Sequence, residues 1–142
     1  MPAGDLYQLL LANSRLLNRR AQQRLSLAGI TSGQPRLLNY LYDHDGCIQN
    51  ELAQHCDLKP ATVTRILAGM EKSGLVFRLS DKSDRRILRV FLTEKGLEAH
   101  QKIRQVFHQI EKECFKDFSD QDKEQVWLAL NRLSYNLKKS IQ

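Results

Sequence analysis

The chain has few of the residues and patterns on which catalysis, secretion or membrane insertion depends. Its three cysteines, Cys47, Cys56 and Cys114, are an odd number with no CxxC pair. Such usage points to free thiols in a reducing, cytoplasmic compartment. No apolar run approaches the ~20 residues of a membrane span, and the N-terminus lacks the apolar core of a signal peptide. Four histidines (His44, His55, His100, His108) are scattered, with no HExxH motif, glycine-rich phosphate loop or nucleophile elbow. His100, His108 and Glu111 can share a helix face, but surface or dimer-contact histidines are the commoner outcome. No catalytic residue, metal site or cofactor is therefore expected. Internal repeats, low-complexity segments and Pro/Gly/Ser-rich linkers are absent too, and 142 residues suit one domain with a real core.

What is present begins at Gln49. Counting it as the first position, Leu52, Cys56, Leu58, Val63 and Ile66 fall at the fourth, eighth, tenth, fifteenth and eighteenth. Two short helices crossing at a steep angle bury apolar side chains at these positions, and only a small residue such as Ala53 fits where the backbones approach. Asp57 occupies the turn, where a left-handed backbone is needed and Asp tolerates it. Pro60 suits the first turn of the second helix, where a missing N–H costs nothing.

After Gly74, a good residue to end that helix, Leu75 to Leu79 reads as a strand. Ser80 to Arg86 forms a charged tip, and Ile87 to Leu92 alternates as a second strand. Thr93 can cap the next helix. Together these elements predict a mainly α fold with a small β-hairpin wing (α+β), a winged helix-turn-helix.

Charge is concentrated on these elements. The net charge is +6, yet residues 1–56 hold five Lys/Arg against four Asp/Glu, and residues 97–142 eight against seven. Residues 57–96 hold nine against five. A local excess of this kind suits a surface that neutralises DNA phosphates. On the second helix Val63, Ile66, Leu67 and Met70 form an apolar stripe. The opposite face carries Ala61, Arg65, Ala68 and Lys72, flanked by Thr62 and Thr64. Small residues there let the helix enter a major groove, and Arg65 can reach a guanine edge or a phosphate. Lys59 is placed for a phosphate.

The rest reads as scaffold for pairing two copies. Asp5 to Leu27 is one helical pattern, and Ser32 to Tyr42 a second. Glu94 to Lys116 is a third, with Leu97, Ile103, Val106, Phe107, Ile110 and Cys114 inward. Ser119 and Asp122 form a capping box that opens a helix striped by Val126, Leu130, Leu133 and Leu137. This apolar surplus predicts a homodimer.

The segments Ala61 to Leu67, Met70 to Val76, Asp84-Arg85-Arg86 and Leu92 to Gly96 make the chain resemble the MarR family of transcriptional regulators, over essentially its whole length. The resemblance implies a single domain over residues 1–142, with a winged DNA-binding lobe at 31–96 and helical dimerisation regions at 1–30 and 97–142. It implies a repressor that binds a pseudo-palindromic operator in double-stranded DNA, recognition helices in major grooves and wings in minor grooves. Arg86 would enter the minor groove with Asp84 holding its guanidinium, and Lys82 and Arg85 would accompany them. Two departures stand out: Lys59 replaces the common Ser or Thr cap, and the wing is short.

Relatives commonly respond to small aromatic or anionic effectors or to cysteine oxidation. By helix position, the family's ligand pocket maps to Arg19, Arg36 and Tyr40, the last two sharing a helix face at i, i+4. The competing readings are oxidation of Cys47, the one thiol placed for it, and a winged helix used for protein–protein contact. For Arg19 and Arg36 ordinary salt bridges, and for Tyr40 core packing, are the bland alternatives.

Overall fold

The structure is a computed structural model and describes residues 4–141, so Met1 to Ala3 and Gln142 of the expected terminal regions lie outside the described residues. The elements run α1 (Asp5–Leu27), α2 (Gln34–Asp43), β1 (Cys47–Ile48), α3 (Gln49–His55), α4 (Pro60–Lys72), β2 (Val76–Ser80), β3 (Leu88–Leu92), α5 (Glu94–Cys114) and α6 (Asp120–Ser140). Two compact units divide the chain, Met1–His108 and Gln109–Gln142. No helix among the described residues is long and apolar enough to cross a membrane.

In the first unit, the core forms where the apolar stripes of four helices meet the sheet. Leu37, Leu38 and Leu41 of α2, Leu52 of α3, Val63, Leu67 and Met70 of α4, Val90 of β3 and Ile103 of α5 are all fully buried. Truncating any of these large side chains to Ala would cost about 2–5 kcal/mol. The helix-turn-helix follows its sequence pattern closely. Leu52, Ala53, Cys56 and Val63 are buried, while Leu58 and Ile66 pack partly buried against them. Asp57 has φ 51°, the left-handed turn that the spacing requires.

Element ends follow local chemistry. Gly74 (φ 75°) ends α4, its N–H donating to the Glu71 carbonyl while the Leu75 N–H donates to that of Met70. This paired pattern satisfies two otherwise orphaned carbonyls. Leu75 therefore belongs to the cap, and β2 starts one residue later than its apolar run. At the far end of the hairpin Ile87 closes the tip, its N–H donating to the Asp84 carbonyl and its carbonyl accepting from the Asp81 N–H. β3 thus begins at Leu88. The left-handed Gly33 (φ 89°) fixes the start of α2 at Gln34, two residues after the start its apolar spacing suggests.

The sheet has the order β1-β3-β2, all antiparallel. Sequence periodicity shows no sign of β1, because two residues are too few to alternate. It exists because Cys47 and Ile48 pair with Val90 and Arg89.

Cys114 was expected inside α5 but is exposed. Leu97 and Phe107 are exposed as well, whereas Ile103 and Ile110 are buried. One apolar stripe thus supplies two surfaces, and spacing alone does not say which face finds a partner within the chain. In the second unit, the capping box of α6 forms as its residues predict: Ser119 Oγ accepts from the Asp122 N–H at 3.1 Å, and Asp122 accepts from the Ser119 N–H at 3.2 Å. Nevertheless α6 buries no residue.

Candidate nucleic-acid interface

α4 places the recognition residues by its own periodicity. With Val63, Leu67 and Met70 fixed inward, Ala61, Thr64, Arg65, Ala68 and Lys72 face outward and exposed, with Thr62 half-buried at the edge. Lys59 is the N-cap residue and makes no side-chain cap bond, as its departure from the usual Ser or Thr implies. The residue is exposed at the helix N-terminus, where backbone N–H groups also favour an anion.

Thr64 has a second duty that spacing did not reveal. Its hydroxyl donates to the Pro60 carbonyl at 3.0 Å and accepts from Gln49 Nε2 at 2.9 Å. The single hydroxyl proton is therefore committed within the fold, and Thr64 can offer DNA only an acceptor and a methyl group.

The wing tip is built around two aspartates. Asp81 accepts from the Ser83 N–H (3.0 Å), the Ser83 hydroxyl, the Asp84 N–H (3.3 Å) and Arg89 Nε. These donors hold its carboxyl far below the usual carboxylate range, the Ser83 hydroxyl foremost. Arg89 in turn donates to the Gly46 carbonyl at 3.0 Å, tying the tip to the turn before β1. Asp84 grips Arg86 three times: Oδ1 accepts from the Arg86 N–H (3.0 Å) and Nε (3.1 Å), and Oδ2 from Nη2 (3.1 Å). Hydrogen bonds from the Arg86 side chain and then its backbone lower the Asp84 pKa. The Arg86 side chain is nevertheless 91% exposed. It is held by one edge and open on the other, beside the exposed Lys82 and Arg85. Sequence reasoning missed Asp81 and Arg89; the Asp-x-Ser spacing, which favours a side-chain-to-backbone turn, was the available signal.

The three residues assigned to an effector pocket are not brought together. A cavity of about 980 Å³ lies in the first unit, lined by Asn18 and Leu25 of α1, Arg36 and Asn39 of α2, Leu58 of the α3–α4 turn, and Phe107. Arg36 alone of the three lines it, and Arg36 also donates to the Cys56 carbonyl at 2.8 Å. Tyr40 is instead stacked between His44 and His55, with ring centroids 4.2 and 4.8 Å away. Arg19 is exposed on α1 outside the lining. Helix periodicity predicted the shared face of Arg36 and Tyr40, but aromatic stacking drew the tyrosine toward α3. The asparagine that sequence reasoning overlooked, Asn39, has a buried side-chain oxygen with no hydrogen-bond partner.

Cys47 fares poorly as a redox centre. It is buried, and burial foremost pushes its thiol up to about 11. The thiolate is the reactive species, so this environment opposes oxidation at neutral pH. Cys56 is likewise buried with a raised pKa, chiefly by desolvation.

A helix-turn-helix with an exposed cationic outer face, followed by an antiparallel hairpin with a clasped arginine at its tip, defines a winged-helix DNA-binding protein. Comparison with known proteins narrows this class. The profile of the MarR family matches residues 28–87. The uncharacterized HTH-type transcriptional regulator YwoH of Bacillus subtilis strain 168 is 30% identical over 112 residues, 79% of this chain and 81% of that one. A MarR transcriptional regulator from Methanosarcina mazei Go1 matches in structure with a TM-score of 0.82 at 28% identity, over 93% of this chain and 98% of that one. A chain of the Staphylococcus aureus MepR–DNA complex matches with a TM-score of 0.77 at 26% identity, over 96% and 99%. This chain belongs to the MarR family: it is a DNA-binding transcriptional regulator and not an enzyme.

Proposed function

We propose that the protein is a repressor that binds a pseudo-palindromic operator as a homodimer. Lys59, Ala61, Thr62, Thr64, Arg65 and Lys72 form the major-groove and flanking-phosphate surface. Lys82, Arg85 and Arg86 form the minor-groove surface, with Asp84 orienting Arg86. The observation that carries this reading is the coexistence, on one lobe, of a cationic outer face on α4 and a clasped, solvent-facing Arg86. A guanidinium fixed before binding loses less side-chain entropy in a narrow groove. The likeness to MepR, solved in complex with DNA, supports the same assignment.

Dimerisation is supported by apolar surface that the chain does not cover. Leu9, Leu16 and Leu17 of α1 and Trp127, Leu130 and Leu137 of α6 are all more than 40% exposed. Exposed apolar faces of this kind, taken on each helix by itself, usually mark a partner's position. A second copy fits this chemistry and supplies two recognition helices one helical turn apart.

The effector reading rests on the cavity, whose lining mixes apolar side chains (Ala21, Leu25, Ile30, Leu58, Phe107) with uncharged polar ones and whose only charged side chain among the described residues is Arg36. A small aromatic carboxylate suits a guanidinium set in such a wall. Because Arg36 also holds the Cys56 carbonyl at the end of α3, an anion that drew it away would loosen the helix-turn-helix and release DNA.

Fluorescence anisotropy against an operator selected from random duplex tests the central claim. Arg65→Ala should cost roughly 1–3 kcal/mol and relax discrimination at one base pair per half-site. Lys82→Ala should weaken all sequences alike and flatten the salt dependence by about one phosphate contact. Equal, sequence-independent losses from both would refute base contact by Arg65. Light scattering that returns the 16.4 kDa mass of one chain would refute the dimer and the palindrome with it. Calorimetry with benzoate checks the cavity: heat of binding that disappears in Arg36→Met is expected, and binding indifferent to Arg36 would refute the assignment.

A further inference from the structure

Four polar side chains at the base of the DNA-binding lobe form one connected chain of hydrogen bonds across three elements. Gln49, the first residue of α3, donates through Nε2 to Thr64 Oγ1 of α4 at 2.9 Å and accepts through Oε1 from Arg78 Nη1 of β2 at 3.2 Å. Arg78 Nη2 donates to Glu71 Oε2 of α4 at 2.6 Å. The Arg78 and Glu71 side chains are 18% and 33% exposed, so solvent screens the pair less than an ordinary surface bridge. The Arg78 bond keeps the Glu71 carboxylate charged, below its usual range.

We infer that Gln49, Glu71 and Arg78 are positioning residues, which brace the wing against the recognition helix so that Arg65 and Arg86 meet their grooves together. This rests on the reading that both arginines contact DNA.

The geometry explains the need for a brace. Between Lys72 and Val76 the chain connecting α4 to the hairpin is only three residues, centred on a left-handed Gly74. β1 and the Arg89–Gly46 bond hold the β3 side of the hairpin, whereas on the β2 side the bonds of Arg78 to Gln49 and Glu71 set its angle to α4. Arg78 sits near that base, opposite Val90, whereas Arg86 lies at the tip. About four residues of strand separate base from tip, or roughly 13 Å at ~3.3 Å per residue. A tilt of about 10° at the base therefore moves the tip by about 2 Å, beyond the tolerance of a hydrogen bond. The amide of Gln49 suits a joint of this kind, because it donates to one element and accepts from another with a single side chain. Thr64 adjoins Arg65, so the same joint also fixes the azimuth of the recognition helix.

The brace makes predictions that simple charge counting contradicts. Glu71→Gln removes an acid near the DNA-facing helix, so electrostatics alone would tighten binding. Gln49→Met changes no charge and would leave binding alone. With a brace, both weaken the selected operator by roughly tenfold, the scale of losing a charge-assisted hydrogen bond, and both leave affinity for a scrambled duplex and the salt slope within about twofold. Arg78→Met joined to Glu71→Gln should lose little more than either alone.

The test is anisotropy of the full-length protein on the selected operator and on a scrambled duplex of the same composition, with a thermal melt of each variant. The expected result is a fall in the operator-to-scrambled ratio for Gln49→Met and Glu71→Gln with the cooperative melt retained and its midpoint lowered by no more than about 2–8 °C, the scale of the lost hydrogen bond. Tighter binding by Glu71→Gln, or an unchanged ratio for Gln49→Met, overturns the brace. If Arg78→Met fails to fold, the two neutral replacements still decide the matter. A wild-type protein with no preference for its selected operator would overturn the DNA-contact reading itself, and the brace with it.

Discussion

Gly96 in the first turn of α5 tests the packing account most sharply, because two physical effects pull its substitution in opposite directions. Replacing a helical glycine by alanine normally stabilises by up to ~1 kcal/mol, through backbone entropy and helix propensity. A Cβ at Gly96, however, would lie 2.1 Å from the Leu75 carbonyl oxygen and 3.1 Å from Leu92 Cδ2. The carbonyl belongs to the cap that ends α4, and it also accepts from the Thr93 N–H at 3.1 Å. Backbone cannot swing aside as a side-chain tip does, so α5 must move away from the α4–β2 junction. That movement strains the core by about 1–3 kcal/mol. It also stretches two bonds, Thr93 N–H to Leu75 and Gly96 N–H to Thr93 Oγ1 (3.0 Å), each worth about 1 kcal/mol. Set against the propensity gain, Gly96→Ala should destabilise by about 2 kcal/mol. At ~2–4 °C per kcal/mol for a chain of this size, the melting temperature should fall by about 4–8 °C. Thermal and urea denaturation at one fixed protein concentration measure this, since dimer formation would otherwise move the midpoint. Gly69 is the control. It is also helical, but a Cβ there meets nothing within 4 Å, so Gly69→Ala should stabilise by up to ~1 kcal/mol. A Gly96→Ala variant as stable as the parent would refute the close approach of α5 to the α4 cap.

Other outcomes follow from the same structure. Asp84→Ala and Arg86→Ala should each weaken operator binding with the protein still folded, and the double variant should lose much less than their sum; tighter binding by Asp84→Ala would show that the clasp does not matter. Because the Asp84 pKa is lowered in the folded protein, the clasp contributes fully above the ordinary carboxylate pKa of about 4 and is lost only as pH falls through the lower folded value. In a thiol-titration assay at pH 8, Cys47 and Cys56 should stay unmodified until the protein unfolds, so more than one fast thiol per native chain would contradict their burial. With the Cys47 thiol pushed up to about 11, the unfolded chain releases this proton first as pH rises above about 8.5, so stability should decline from there toward pH 11.

Local chemistry made much of this protein legible from its residues. The left-handed demand at Asp57, the capping box at Ser119 and the Asp84–Arg86 clasp each involve groups within a turn or two of chain, and the helix-turn-helix spacing from Gln49 to Ile66 joins two consecutive short helices. Interactions of that range are encoded by spacing and propensity, and they stand where the sequence puts them. Three features depended on the fold. β1 exists only because β3 passes beside Cys47 and Ile48. Tyr40 left the expected pocket because His44 and His55 offered it two stacking faces, one of them contributed by α3. The Gln49–Arg78 bond joins residues 29 apart, and no periodicity connects them. The apolar stripes of α1, α5 and α6 fall between these cases. Sequence determined that each helix has an apolar face, because periodicity is a property of one helix. Whether that face is covered depends on which surfaces arrive from elsewhere, and so only tertiary structure decided that Ile103 is buried while Cys114 is exposed and Val126 and Leu133 of α6 are only partly buried.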